Sequence, residues 1–375
     1  MRVAIGAGGT GGHIYPGLAV ARALEELTGG RVAVEFHGAR GRLEEQLVPR
    51  AGYPLLLTET RGLGTAPLPE VLARLAVATR RSVRRLRDGR VDVVVGMGGY
   101  PSLPVVLAAR RCGVPLLVHE SNAVPGLANR VASMLTRNVA LAHPSARRRG
   151  GRVVGMPLLP ELAGLDPAIL RGPARRSFGL APGQRLVVVC GGSLGAGRLT
   201  DAAIGLAGLW RGRDDVLVLV KTGPADLARA ERLLAGSPVV RPVAYLDRMD
   251  HVYAAADVMV TRAGASTIAE LAATGVPSIL VPLPDAPGDH QRHNARVLAS
   301  AGAARLVEDR LLDGPRLAAE LDALLESPRR LARMRVAAAA LGRTDAAETV
   351  ARWALELAGA TPAPSHAHPI AKEYR

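Results

Sequence analysis

A histidine stands at the end of a glycine-rich run near the start of the chain, Val3-Ala-Ile-Gly-Ala-Gly-Gly-Thr-Gly-Gly-His-Ile-Tyr-Pro16. A β-branched run, a turn of glycines and a helix-forming segment follow one another there. Glycines let the backbone take positive φ and approach a ligand closely. The helix behind them aims free N–H groups and its positive end at whatever sits above the turn, which suits a phosphate. His13, just past the turn, could take a proton from an incoming hydroxyl, since a free imidazole titrates near ~6.5. Taken alone, it is more readily a polar helix-start residue bonded to a neighbouring loop. The arrangement returns at Leu186-Val-Val-Val-Cys-Gly-Gly-Ser-Leu-Gly-Ala-Gly197. Two such units predict two similar domains facing a shared cleft.

Further polar stretches fall where strands should end. Gly98-Gly99-Tyr100 and His119-Glu120-Ser121-Asn122 follow two predicted strands, at the edge where open α/β sheets bind ligands. Local turn chemistry would explain Ser121 and Asn122 equally simply. In Arg262-Ala-Gly-Ala-Ser-Thr-Ile-Ala-Glu270, residues Gly264 to Thr267 would offer N–H groups to a diphosphate, and Glu270 could accept two vicinal ribose hydroxyls. Thr267-x-x-Glu270 is equally a capping-box pattern, and the residues alone leave the two readings even. Asp289-His-Gln-Arg-His-Asn-Ala295 opens another helix, where Gln291 and Asn294 carry the donor–acceptor pairs that suit sugar hydroxyls. His290 and His293 are spaced i, i+3, but no third metal ligand matches them, so no metal is expected. Gly6-x-Gly8-x-x-Gly11 fits the dinucleotide fingerprint in form. The acidic residue it wants after the second strand is replaced by His37-Gly38, so no nicotinamide or flavin cofactor is expected.

The elements that must hold these residues alternate between strand and helix. In the first half, strands are expected at 2–7, 31–37, 91–96, 114–118, 137–142 and 152–154. Helices are expected at 12–27, 42–51, 69–87, 102–112 and 126–135, with a loop at 59–69. After Gly155-Met-Pro-Leu-Leu-Pro160 the pattern restarts, with strands near 185–190, 215–221, 238–243, 257–261 and 277–281. Helices near 289–300, 315–326, 328–341 and 345–358 close the chain, and 361–375 reads as a disordered tail. This spacing means βαβ units and parallel sheets covered on both faces.

With 375 residues, two domains are the better prior. Two cysteines, Cys112 and Cys190, in separate predicted domains argue against a disulfide framework and for a reducing compartment. No signal-peptide pattern precedes the first strand, and no apolar run approaches the ~20 residues that span a bilayer. The reading is a soluble cytoplasmic protein. Net charge is +15, and residues 1–150 hold +11 of it (21 Arg against 10 Asp and Glu). A basic first half implies an anionic partner, whether nucleic acid, lipid surface or phosphorylated substrate. No aromatic–basic interleaving suggests base stacking, so nucleic acid is not expected. The arginine-rich helix 69–87 could lie on anionic headgroups or simply pack on the sheet.

Together these stretches resemble the MurG family of glycosyltransferases. The resemblance rests on Gly8-Gly-Thr-Gly-Gly-His-Ile-Tyr-Pro16, Gly96-Met-Gly-Gly-Tyr100, His119-Glu-Ser-Asn122, Gly126-Leu-Ala-Asn129, Gly191-Gly-Ser193, Arg262-Ala-Gly-Ala265 with Glu270, and Asp289-His-Gln-x-x-Asn-Ala295. It implies an α/β GT-B fold, with two Rossmann-like domains whose parallel sheets face a central cleft. The expected divisions are 1–157 for the acceptor and membrane, 158–343 for the donor, and 344–360 for a helix crossing back. The implied reaction is inverting and metal-independent, moving N-acetylglucosamine from UDP-N-acetylglucosamine to undecaprenyl-pyrophosphate-linked lipid I. The UDP-sugar is a substrate and no cofactor is implied. His13 would be the base. Gly9, Thr10, Gly11, Gly12, Gly98, Gly99, Tyr100, His119, Asn122 and Asn129 would line the acceptor side. Ser193, Tyr245, Leu246, Arg262, Gly264, Ala265, Thr267, Glu270, His290, Gln291 and Asn294 would serve the donor. The basic half would rest on the inner face of the plasma membrane.

Three positions depart from the family pattern. Where the family has Asn-Pro and then, two residues on, a phosphate-contacting arginine, this chain has Met156-Pro157-Leu158-Leu159. Leu194 replaces an amide in the second glycine loop. Arg171, Arg175, Arg176 or Arg198 could supply the missing charge. A MurG-like paralogue, using another lipid-phosphate or natural-product acceptor or another nucleotide sugar, is the alternative reading.

Overall fold

The computed structural model describes residues 1–62, 66–146, 150–192, 196–223 and 226–360. Ser193, Leu194 and the tail 361–375 lie outside them. The first sheet contains β1 (Arg2–Ala7), β2 (Ala33–Ala39), β3 (Leu55–Thr58), β4 (Val93–Gly98), β5 (Leu116–Glu120), β6 (Val139–Leu141) and β7 (Gly151–Val153). The second contains β8 (Arg185–Cys190), β9 (Val216–Lys221), β10 (Val240–Val243), β11 (Val258–Thr261), β12 (Ser278–Leu280) and β13 (Ala304–Leu306). Strand orders are β3-β2-β1-β4-β5-β6-β7 and β10-β9-β8-β11-β12-β13, and every pairing is parallel. Each sheet therefore starts at its middle, walks to one edge and then crosses to the other side. The crossings, β1/β4 and β8/β11, are the switch points where such sheets open a crevice beyond their carboxyl ends.

Apolar β-branched runs suit strands covered on both faces. In β8, Val187 and Val189 enter one buried cluster with Leu206 and Leu321, while Leu186 and Val188 enter another with Met259 and Leu271. In the first lobe, Ile5, Phe36 and Val95 share a core with Val350, Trp353 and Leu355 of the last helix, Ala346–Leu357. That helix follows the second lobe in sequence and packs on the first.

Two strands were not anticipated. β3 is an edge segment of leucines, which rank below β-branched residues in strand preference, and β13 is only three residues long. Both are specified by the neighbour they pair with rather than by their own pattern. Among the described residues no helix is long and apolar enough to cross a membrane.

Candidate active site

The first mouth lies where β1 gives way to the helix Gly11–Thr28. Thr10 is its N-cap in extended geometry, but its hydroxyl does not cap the helix. Thr10 Oγ1 instead lies 3.3 Å from His13 Nδ1. The loop is held from beneath by Glu44, a carboxylate with no solvent exposure. Its Oε2 accepts from the Gly9 N–H at 3.0 Å and its Oε1 from the Ala39 N–H at 3.0 Å. A Cβ on Gly8 would collide with that carboxylate. The glycine run is thus needed as much for the acid underneath as for a ligand above. One expectation changes with it, because the Gly9 N–H is occupied by Glu44. The N–H groups of Gly11 and Gly12, on the first turn, remain directed out of the helix end.

Gly98 and Gly99, with φ of +98° and +76°, carry β4 beneath His13. A Cβ on Gly98 would approach the His13 ring to 3.0 Å, and one on Gly99 would collide with the Gly8 carbonyl. Burial pulls the His13 pKa down to about 4, partly offset by its hydrogen bond to the Gly8 carbonyl, and His290 across the cleft disfavours the charge further. The imidazole is therefore neutral at physiological pH and able to accept a proton.

His119 does not line the cleft as expected. It is fully buried, with Nε2 2.9 Å from the Gly155 carbonyl and Nδ1 3.4 Å from Ser121 Oγ. Burial lowers its pKa to about 4, against the Gly155 hydrogen bond. It pins the interlobe linker. Asn129 is also buried and donates to the His119 carbonyl at 2.9 Å. Glu120, buried beside them, accepts from the backbone N–H groups of Asn122 at 2.8 Å and Gly126 at 3.2 Å, shaping that loop. Tyr100 sits under the cation of Arg42, 5.8 Å from its ring centroid.

The second mouth opens after β11. Gly264 is the N-cap of the helix Ala265–Thr274 and no side chain caps it. The N–H groups of Ala265, Ser266 and Thr267 point out of the helix end. The capping-box reading of Thr267 and Glu270 is excluded, because the helix begins before Thr267 and Glu270 bonds elsewhere: Tyr253 Oη donates to its Oε2 at 2.6 Å. Burial raises the Glu270 pKa, opposed by the Tyr253 hydrogen bond. Arg262 donates to Asp309 at 2.6 Å and to the Val281 carbonyl at 3.1 Å, bracing the loop. Gln291 Oε1 accepts from the N–H groups of Ala263 at 3.1 Å and Leu283 at 3.0 Å, so its carbonyl braces loops and its amide group is the part left for a sugar. His290 Nδ1 lies 2.8 Å from the Pro287 carbonyl. Leu246 packs on the lobe's core, and Tyr245, 58% exposed, hydrogen-bonds Tyr15 of the first lobe.

The lobes meet directly. Asn294, expected to face the sugar, is buried at the joint instead. Its Oδ1 accepts from the Ala123 N–H at 3.0 Å, while its Nδ2 donates to Asn122 Oδ1 and to the Ala263 carbonyl, both at 3.3 Å. The two helix starts also face each other, since a Cβ on Gly12 would lie 3.8 Å from Ser266 Oγ. Among the described residues Tyr100 Oη, Arg262 Nε and Ser266 Oγ are buried without a hydrogen-bond partner. Buried polar groups are rarely left so, and three of the seven such atoms among the described residues lie on these two mouths.

The departures at the linker have a packing role. Met156 is buried with Leu158 against Ala265, making an apolar seat for the second mouth's helix, and half-buried Leu159, at the arginine's position, packs on the first lobe's core. Three of the four arginines that could compensate are ion-paired, Arg171 (2.7 Å) and Arg175 (3.4 Å) on Asp257 and Arg198 (3.4 Å) on Asp309, while Arg176 is exposed. Glu35, the one carboxylate in β2, is paired with Arg85 at 2.7 Å and with His37 at 3.1 Å, away from a dinucleotide role. Among the described residues no group of three or more His, Cys, Asp or Glu is placed to hold a metal.

Glu44, Tyr253 and Ser266 were not singled out by the sequence.

Residues 3–141 match the glycosyltransferase family 28 N-terminal domain and 186–350 its C-terminal domain. A Streptomyces coelicolor protein, UDP-N-acetylglucosamine--N-acetylmuramyl-(pentapeptide) pyrophosphoryl-undecaprenol N-acetylglucosamine transferase, is 42% identical over 92% of this chain and 95% of its own. Its counterpart of the same name in Saccharopolyspora erythraea is 43% identical over 95% and 94%. The crystal structure of Acinetobacter baumannii MurG superposes with a TM-score of 0.76 at 28% identity, covering 95% of this chain and 99% of that one. The chain belongs to glycosyltransferase family 28.

Proposed function

We propose that the protein transfers N-acetylglucosamine from UDP-N-acetylglucosamine to the N-acetylmuramyl-pentapeptide of pyrophosphoryl-undecaprenol, the step named for its relatives. The observation that carries this is the meeting of two helix starts across one cleft, one beside a neutral histidine and the other beside a half-buried carboxylate. The donor would sit on the second lobe, with its diphosphate at Gly264–Thr267, its ribose on Glu270, its base near Tyr245 and Leu246, and its sugar toward His290 and Gln291. The acceptor pyrophosphate would sit at Gly11–Gly12. An acceptor hydroxyl then attacks the anomeric carbon with inversion as UDP leaves, and the helix-end N–H groups stabilise the charge that develops on it. Neutral His13 receives the hydroxyl proton. Its own surroundings make it a weak base, but pyrophosphates bound beside it would favour its charged form and raise its pKa toward working pH. Domain limits of 1–157, 158–343 and 344–360 fit this division.

The helix Leu68–Asp88 fits an anionic membrane surface. Leu68, Leu72 and Val77 are 55%, 54% and 64% exposed, followed by exposed Arg80, Arg81, Arg84 and Arg87. Apolar side chains would enter the headgroup layer while the arginines meet lipid phosphates. The protein would then work at the inner face of the plasma membrane.

Purified protein given a lipid I analogue and labelled UDP-N-acetylglucosamine is expected to transfer sugar without added divalent metal. Absence of transfer, with transfer from another nucleotide sugar or to another acceptor, would favour the paralogue instead.

A further inference from the structure

Glu270 is one turn into its helix, and among the described residues its side chain is held by a tyrosine on another element: Tyr253 Oη, 2.6 Å from Oε2. Tyr253 lies on the helix Met249–Ala255, is 2% exposed, and has its ring in the second lobe's core beside Leu271 and Ile268. Its body packs, and its one polar atom is turned to the carboxylate. We propose that Tyr253 is a positioning residue for the donor's ribose, its hydroxyl fixing the orientation of the Glu270 carboxylate and leaving Oε1 to accept from the sugar hydroxyls. This rests on Glu270 as the ribose acceptor.

The physical need is clear. A half-buried carboxylate without a cation rotates among poor geometries or takes up a proton. Burial pushes the Glu270 carboxyl upward, and the phenol opposes it. Tyr253 itself is held well above its ordinary pKa by burial and by Glu270, so it stays a donor throughout the working range. The other titratable groups acting on Glu270 are Tyr15 from the first lobe's helix and Cys190 at the end of β8, with Lys221 beside Cys190. No arginine is ion-paired to Glu270 among the described residues. The phenol is therefore the group that favours the ionised form.

The test is calorimetric UDP affinity across pH for wild type, Tyr253→Phe, Glu270→Gln and the double variant, with melting temperature and acceptor KM alongside. Phe keeps the ring, so a packing role would leave UDP affinity and its pH dependence unmoved. The inference expects Tyr253→Phe to weaken UDP roughly tenfold, the loss of one hydrogen bond to a charged group, with acceptor KM unchanged. Because the phenol lowers the carboxyl pKa, its removal raises that pKa, and affinity is lost at higher pH as the solution is acidified. In the Glu270→Gln background the Phe change costs little further. Wild-type affinity and pH dependence in Tyr253→Phe, while Glu270→Gln binds poorly, would overturn the inference and leave the ribose reading standing. Full UDP affinity in Glu270→Gln would remove both. If Tyr253→Phe melts early, the double-variant comparison decides: a full further loss of affinity there assigns Tyr253 to packing and overturns the inference.

Discussion

The two helix mouths share a strand order and differ in what stands behind the glycines. Behind the first is a sealed carboxylate, Glu44, that occupies the Gly9 N–H and has no path to a ligand. Behind the second, among the described residues, no carboxylate holds the loop's N–H groups in this way; Glu270 lies forward on the helix and a tyrosine holds it. The first mouth carries a histidine discharged by burial and the second a loop braced by Arg262 on Asp309. On the proposed function one mouth serves proton removal and the other nucleotide binding, and the side chains within a turn of each glycine run make the difference.

Substitutions on the two sides should separate cleanly. His13→Ala is expected to cost about 10²–10⁴-fold in kcat, the usual worth of a general base, with UDP affinity little changed. Single-turnover rates at saturating donor measure this, and a loss confined to KM would blur the division between lobes. Glu270→Ala should weaken UDP on the order of 100-fold, as two charged hydrogen bonds are lost, with little change in helix stability because no capping box exists. Equal losses of donor affinity from both variants would break the contrast.

Glu44→Ala leaves the N–H groups of Gly9 and Ala39 buried and unpaired. Chemical denaturation should show a loss of about 2–5 kcal/mol, with acceptor KM raised more than donor KM. A smaller effect belongs to pH. The acid limb of kcat/KM reports the free enzyme and should include a group near His13's value of about 4, whereas the limb of kcat, set in the loaded complex, should lie higher. Stability carries the same sign. His13 and His119 have folded pKa values near 4, below the unfolded ~6.5, so the unfolded chain binds more protons between them. Stability should fall as pH drops from about 6.5 toward 4, by about 2 kcal/mol for buried His119 by pH 5. Melting curves of His119→Gln, sloping less steeply than wild type over that range, would check that share.

Much of this was legible in the chain because strand, turn and helix are local signals. The glycine run after β1 announced the first mouth, the one after β8 announced a second lobe whose mouth the fold places after β11 instead, and alternating apolar segments announced two parallel sheets. What the chain hid were contacts that only the fold makes. Glu44 meets Gly9 across 35 positions, and Asn294 meets Ala123 across 171. An asparagine suited to sugar by its chemistry was taken by the lobe joint, and a histidine at a strand end was buried against the linker. Thr267 and Glu270 matched a capping box because that pattern ignores where the helix begins, and here Gly264 begins it.

The division of labour between the lobes is tested most directly by titrating UDP-N-acetylglucosamine calorimetrically into wild type, His13→Ala and Glu270→Ala. The account predicts near-identical binding to wild type and His13→Ala and a large loss in Glu270→Ala. Undiminished binding to Glu270→Ala, or binding abolished by His13→Ala, would contradict it.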